Sequence, residues 1–236
     1  MAVAVDMKAM LEAGVHFGHK TSRWHPKMAP YIHSKRQEAH IINLEKTAEG
    51  LEAALPFLTK TVASGKKVLF VGTKKQHQDI VKAAAESVKQ PYVTGRWIGG
   101  MLTNVATMNS QMKKLLDLER RMASGDLEKR YSKLEVQRFQ EEIDLLNEKY
   151  GGIKDLQGVP GAVIVVDTLA DRNAINEAKK LGTPVVGVVD TNADPTVVDY
   201  VIPGNDDAIK GTQLLLDYFV AAVKEGEGAA KKEEAK

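Results

Sequence analysis

The sequence predicts an α/β fold: a doubly wound parallel sheet, covered by helices on both faces, into which a protruding antiparallel helical hairpin is inserted. Three observations carry this. Continuous apolar runs at 68–71, 162–166 and 184–189 have the pattern of strands buried on both faces. Helix-period segments alternate with those runs, as crossover connections in a parallel sheet require. The stretch 104–150 keeps its apolar residues to one narrow stripe, the pattern of helices that pair with each other. At 236 residues, 43% apolar and 27% charged, the chain has material for one large core carrying an insertion.

The elements follow in order. Residues 5–13 read as a short helix stopped at Gly14. The next stretch is rich in turn formers, and Pro26 and Pro30 forbid a long helix there. His40-Ile41-Ile42 is a short strand. Asn43 then caps a helix whose apolar positions Leu44, Ala48, Leu51, Leu55, Leu58 and Val62 share one face. Pro56 should kink or restart that helix. The run 68–71, closed by Gly72, precedes a helix from about Lys75 to Val88 and a strand at Tyr92-Val93. Later, 162–166 ends in Asp167, a helix spans Arg172 to Leu181, 184–189 ends in Asp190, Val198 to Ile202 is a further strand, and Asp206 to Val223 is the last helix.

Within the insertion, Val136, Phe139, Ile143, Leu146 and Tyr150 step by three and four, a coiled-coil seam. Val105, Met108, Met112, Leu115 and Met122 repeat it less cleanly, because Glu119 occupies one seam position. Ser124-Gly125-Asp126 separates the halves, giving helices near 104–123 and 131–150. The sheet domain thus comprises 1–103 and 151–224, the hairpin 104–150. Residues 225–236, with no apolar side chain larger than Ala, are expected to be a disordered tail.

Composition narrows the function. With no cysteine there is no disulfide, thiolate metal site, iron–sulfur cluster or cysteine nucleophile, which suits a reducing cytoplasm. No apolar stretch approaches a membrane span, and Met1 to Met10 lacks the basic and small-residue features of a secretory signal. Dinucleotide, P-loop, nucleophile-elbow and zinc-protease motifs are all missing from the sequence. Net charge is only +2, but it is unevenly placed. Residues 1–36 hold Lys8, Lys20, Arg23, Lys27, Lys35 and Arg36 against Asp6 and Glu12, a local +4. Five of the six histidines, with Phe17, Trp24 and Tyr31, fall in or beside that arm. Cations beside flat rings suit RNA phosphates and exposed bases; the alternative is an arm that covers the core with solvated charges. The hairpin, with nine basic and nine acidic residues, is neutral and reads as a structural element or a contact arm for a partner.

Four local patterns are candidates for chemistry. Gly72-Thr73-Lys74-Lys75 puts two lysines at a strand end, where anions bind helix N-termini. His16-x-x-His19 with Asp190, Asp194, Asp206 and Asp207 offers nitrogen and carboxylate ligands for zinc or magnesium; the alternative is that the aspartates cap helices. Arg96 to Asn104 joins sheet to hairpin: Trp97 anchors it, Gly99 and Gly100 allow close backbone approach, Thr103 or Asn104 caps the helix, and Arg96 meets a phosphate or an acidic neighbour. Gly151 and Gly152 form the return joint by ending the second helix.

Seven segments together resemble one family: AGVHFGHKTSRWHPKMAPYI (13–32), HIINLEKT (40–47), LFVGTK (69–74), RWIGGMLTN (96–104), GGIKDL (151–156), VDTNADP (189–195) and VIPGNDDAI (201–209). In these the chain is similar to the S-two family of bacterial small-subunit ribosomal proteins, from about residue 5 to 224. The resemblance implies a flavodoxin-like sheet, a projecting coiled coil and no catalysis, required cofactor or small-molecule substrate. It implies a cytoplasmic, ribosome-bound protein that binds small-subunit ribosomal RNA between head and body. It further implies neighbouring ribosomal proteins as partners and help in recruiting the S-one protein for translation initiation. Carried over residue by residue, the RNA-facing set is Lys20, Arg23, Trp24, Lys27, Lys35, Arg36, Lys74, Lys75 and Arg96. A metal ion in some members would match His19, Asp190, Asp206 and Asp207. The competing readings are a nucleotide or flavin enzyme that has lost its fingerprint, and a protein-only adaptor acting through the hairpin.

Overall fold

The computed structural model describes residues 5–156 and 158–234, with side chains described as far as residue 230. Helix α1 (Met7–Glu12) is started by Asp6, whose carboxylate accepts from the Lys8 and Ala9 N–H groups. The arm that follows is more regular than its turn-rich sequence suggests. Phe17–Lys20 (β1), Ile32–Arg36 (β2) and Ala39–Ile42 (β3) form an antiparallel sheet in the order β1-β3-β2. Only the third of these strands is legible from the residues. Its hairpin partner is hidden because the turn is made by Gln37 and Glu38, both at positive φ (46° and 63°), rather than by Asn-Gly or another turn signal. Pro26 and Pro30 lie in a six-residue 3₁₀ turn, Pro26–Tyr31.

Helix α2 (Leu44–Ala63) begins where the Asn43 side chain accepts from the Glu45 N–H. It runs on through Pro56, so the restart that this proline could have forced does not occur. Pro56 is exposed, so the carbonyl it leaves without a helical donor is free to meet water. Next come β4 (Val68–Val71), α3 (Gln78–Ser87) and β5 (Tyr92–Val93). Helix α3 starts three residues later than the apolar pattern implies, because Thr73 to His77 form a loop.

The inserted segment folds as α4 (Val105–Ala123), a short α5 (Asp126–Arg130) and α6 (Lys133–Tyr150). Leu115 and Leu118 of α4 and Ile143 and Leu146 of α6 are buried in one cluster. Lys114 pairs with Glu142 between the same two helices. Glu119, at a position where the sequence pattern expects an apolar residue, accepts from Asn147 Nδ2 at 2.8 Å and Lys154 Nζ at 2.6 Å.

The chain then alternates β6 (Ala162–Val165), α7 (Arg172–Lys180), β7 (Val185–Val189), β8 (Tyr200–Pro203) and α8 (Ile209–Glu234). The five sheet strands are parallel, in the order β5-β4-β6-β7-β8. Numbered by their place in the chain this is 2-1-3-4-5, the flavodoxin-like order. Side-chain alternation divides the core in two. Val68, Phe70, Ala162, Ile164, Val186 and Val188 face α2, α3 and α8, while Leu69, Val71, Val163 and Val165 face α7 and the root of the insertion.

The tail expected to be disordered continues α8 to Glu234; residues 235 and 236 lie outside the described chain. Its Ala, Lys and Glu residues are good helix formers. It also docks without large side chains: a Cβ on Gly226 would lie 2.6 Å from the Thr59 carbonyl of α2, and Glu227 accepts from Gln90 Nε2 at 3.2 Å.

Candidate nucleic-acid interface

The arm is tied to the carboxyl end of the sheet. Thr191, just past β7, accepts from the His19 N–H at 2.9 Å through its hydroxyl and from the His25 N–H at 2.7 Å through its carbonyl. Gly18 lies so close that a Cβ there would sit 2.6 Å from the Thr191 methyl. This attachment holds Lys20, Arg23, Lys35 and Arg36 on the outside of the molecule, all exposed and none in an ion pair among the described residues. Trp24 stays 39% exposed, with its ring 5.2 Å from that of His40. Lys75 and Arg96 are likewise exposed and unpaired among the described residues.

Two cations of the sequence-derived set are engaged by the protein itself. Lys27 Nζ lies 2.8 Å from Asp194 Oδ2 and 2.9 Å from Thr196 Oγ1. Asp194 is held well below the usual carboxylate range by Lys27 and then by Thr196, whose N–H it also caps. Lys74 Nζ lies 2.7 Å from Asp207, 3.2 Å from Asp206 and 3.5 Å from Asp167. Burial works to lower Lys74, but these carboxylates outweigh it and raise its pKa. The Gly72–Lys75 turn is therefore not an open anion cradle. Thr73 is committed as well, its hydroxyl donating to Asp171 Oδ1 at 2.7 Å.

The four residues considered as metal ligands do come together, in two roles. His19 Nδ1 lies 3.0 Å from Asp190 Oδ2, and His19 Nε2 faces Asp207 at 3.4 Å. Ligand atoms of His19, Asp206 and Asp207 lie within 4.8 Å of one another. Asp190 is fully buried and serves the others, orienting the imidazole and accepting from the Asp206 and Thr191 N–H groups. His19 is raised by its bond to Asp190, and Asp206 is pushed up to about 7 by burial and by Asp167 and Asp190. Asp207 is held below the usual range by Lys74. His16 does not join the cluster; its ring packs 4.0 Å from that of Phe17. Asp194 caps a 3₁₀ turn instead.

The joints to α4 and from α6 are built differently from each other. Glu177 of α7 accepts from Trp97 Nε1 (3.1 Å), the N–H groups of Gly100 (2.7 Å), Leu102 (3.0 Å) and Thr103 (3.1 Å), and the Thr103 hydroxyl (3.1 Å). Gly100 takes φ +91° to present its N–H, Gly99 is exposed with open space around it, and Asn104 caps α4 by accepting from the Thr107 N–H. On the return, α6 ends at Tyr150 with Gly151 as its C-cap, as expected, at a right-handed φ of −55° that leads straight into a 3₁₀ turn, Gly151–Ile153. Gly152 is needed for contact: a Cβ would lie 2.2 Å from the Tyr92 carbonyl oxygen of β5.

A sequence model of the family described as ribosomal protein S2 matches residues 10–226 of this chain. The chain belongs to the ribosomal protein S2 family. Among similar proteins is the small ribosomal subunit protein uS2 of Roseiflexus sp. (strain RS-1), 49% identical over 94% of this chain and 85% of its own. The proteins of the same name from Chloroflexus aggregans and Roseiflexus castenholzii are 48% and 47% identical over 94% of this chain, covering 93% and 84% of theirs. Members of this family are structural components of the ribosome rather than enzymes, and they need no cofactor.

Within this S2-family chain, the crevice between β4 and β6, where doubly wound enzymes hold their ligands, is bridged by Thr73–Asp171 and lined by Lys74 and its acids. Sequence reasoning missed the most heavily bonded side chain, Glu177. The available signal is a glutamate at an apolar-face position of α7, beside buried Ala174 and Ala178. Its five donors lie some 75 residues away in the chain, and nothing local announces them.

Proposed function

We propose that this chain is a cytoplasmic, ribosome-bound structural protein of the small subunit, held by ribosomal RNA through its N-terminal cations. One observation carries the reading. Lys20, Arg23, Lys35, Arg36, Lys75 and Arg96 are exposed without an internal counter-ion among the described residues, whereas Lys27 and Lys74 are neutralised. Unpaired cations on a rigid frame, with Trp24 beside them, are fitted to phosphates and to an unstacked base. The protein lies as a wedge between head and body, and α4 and α6 form an antiparallel coiled-coil hairpin that projects from the sheet toward neighbouring ribosomal proteins. Recruitment of the S-one protein, and through it support of translation initiation, is part of the same role. The test is subunit retention across a salt gradient. Lys20→Glu with Arg23→Glu should release the protein at lower salt and flatten the dependence; retention equal to wild type refutes the reading. Nuclease digestion separates a protein-only adaptor, which would stay in its complexes.

A second reading concerns the His19 cluster. His19 Nε2, Asp206 and Asp207 would hold a zinc or magnesium ion, with Asp190 fixing the imidazole as carboxylates commonly do for ligating histidines. The ion would act as a staple between arm and sheet, sharing the acids with Lys74. Stoichiometric metal in purified protein, lost in Asp207→Asn, supports it; no uptake from excess zinc or magnesium removes it.

A further inference from the structure

A cleft of about 370 Å³ opens at the carboxyl end of the edge strand β5, between the first turn of α3 and the end of α6. Two glycines shape it. Gly95 passes so close to α6 that a Cβ would lie 3.3 Å from the Glu148 carbonyl, and Gly152 seats the outgoing chain directly on Tyr92. Lys82, Arg96 and Lys149 line the cleft from three separate segments, and none is in an ion pair among the described residues. The wall from α3 adds a helix N-terminus whose N-cap, His77, makes no side-chain capping bond. Two carboxylates, Asp79 and Glu148, share the lining and are also without a cationic partner among the described residues.

We propose that this cleft seats one ribonucleotide of a bound RNA strand. Lys82, Arg96 and Lys149 meet the phosphate, and Asp79 and Glu148 accept from ribose hydroxyls. A bare anion would be served better without the two acids. A ribose-phosphate unit presents both a phosphate and a hydroxyl donor, and the 2′-hydroxyl is the group that separates RNA from DNA. The volume sits at the low end of small-ligand sites, enough for a single nucleotide. Arg96 directly precedes Trp97, whose indole N–H donates to Glu177 at 3.1 Å. This inference rests on the RNA-bound reading of the chain and adds a specific seat, remote in sequence from the cationic arm.

The test uses the full chain with a short mixed-sequence oligonucleotide, made as RNA and as DNA, across a salt series. Lys82→Gln with Lys149→Gln should weaken RNA binding about tenfold and reduce the slope of log affinity against log salt by about 0.7, one phosphate's worth on a single strand. Asp79→Asn with Glu148→Gln keeps the cations and should lose preference for RNA over DNA, a readout that altered stability alone would not give. Wild-type affinity and slope in the lysine pair, with loss in Lys20→Gln/Arg23→Gln, overturns the seat and leaves the arm reading intact. No change in either pair overturns both. Tight binding of adenosine monophosphate without preference for the oligonucleotide also overturns the proposal, since it marks a free-nucleotide pocket.

Discussion

Glu177 shows what a single buried carboxylate does when every nearby donor points at it. Burial alone would raise its pKa, but the donors from Gly100, Trp97, Leu102 and Thr103 outweigh that and hold it below the usual glutamate value. Glu177→Ala would leave five donors facing a cavity, and a loss of about 3–5 kcal/mol in unfolding free energy is expected from denaturant titration. Glu177→Gln keeps the shape but turns an amide toward N–H groups, for a loss of about 2 kcal/mol. Because the folded pKa lies below the unfolded one, the stabilisation is present above the unfolded glutamate value and disappears as pH falls through the folded one. Glu177→Gln should therefore lose least against wild type in acid.

Asp206 has the opposite sign. Its folded pKa of about 7 lies above the model-peptide value of 3.8, so the folded state binds its proton more tightly than the unfolded chain. Its effect on stability becomes less favourable as pH rises from about 4 to 7. His19, raised by Asp190, works in the same direction, since a raised histidine loses its contribution as pH climbs through its folded pKa. Melting temperature in Asp206→Asn should accordingly vary less than wild type across that interval. A steeper variation would contradict the placement of this acid beside Asp167 and Asp190.

At the scale of elements, the attachment of the α4–α6 segment depends on close approach more than on side-chain bulk. Gly152→Ala would put a methyl 2.2 Å from the Tyr92 carbonyl, so strand β5 and the chain leaving α6 must separate. A loss of about 2 kcal/mol or more is expected, with faster amide exchange at Tyr92 and Val93. Gly99→Ala, in open space, should stay within about 0.5 kcal/mol of wild type. Both glycines sit in equally prominent motifs, and the local sequence does not separate them. The same holds for the tail: apolar content decides whether a segment can fold alone, but α8 is extended by a glycine laid against α2 and one bond from Gln90. Helix α2 continues through the exposed Pro56, and at Gln37-Glu38 the sheet imposes a turn that those residues do not favour by themselves.

For the molecule as a whole, the cations divide into two populations that formal charge cannot separate. Lys27 and Lys74 tie the arm and the strand-end loops to acids of the same chain, while Lys20, Arg23, Lys35 and Arg36 are exposed and in no ion pair among the described residues. Lys27→Gln removes a partly exposed ion pair and should cost about 1 kcal/mol or less of stability. Subunit retention across a salt gradient should match wild type in this variant, in contrast to Lys20→Glu/Arg23→Glu. Equal salt sensitivity in the two would show that Lys27 leaves Asp194 for RNA.

The sequence by itself determined the parallel sheet, its alternating helices and the start of α2 at Asn43, because periodic burial is written into residue spacing. It also determined that the positive charge gathers in the arm. Only the tertiary structure decided which of those charges are spent inside the protein, that Asp190 orients His19, and that Glu177 fixes the joint. Each of these depends on groups brought together across long stretches of chain by the sheet order β5-β4-β6-β7-β8, and hydrogen-bonded partners so far apart leave no local pattern to read.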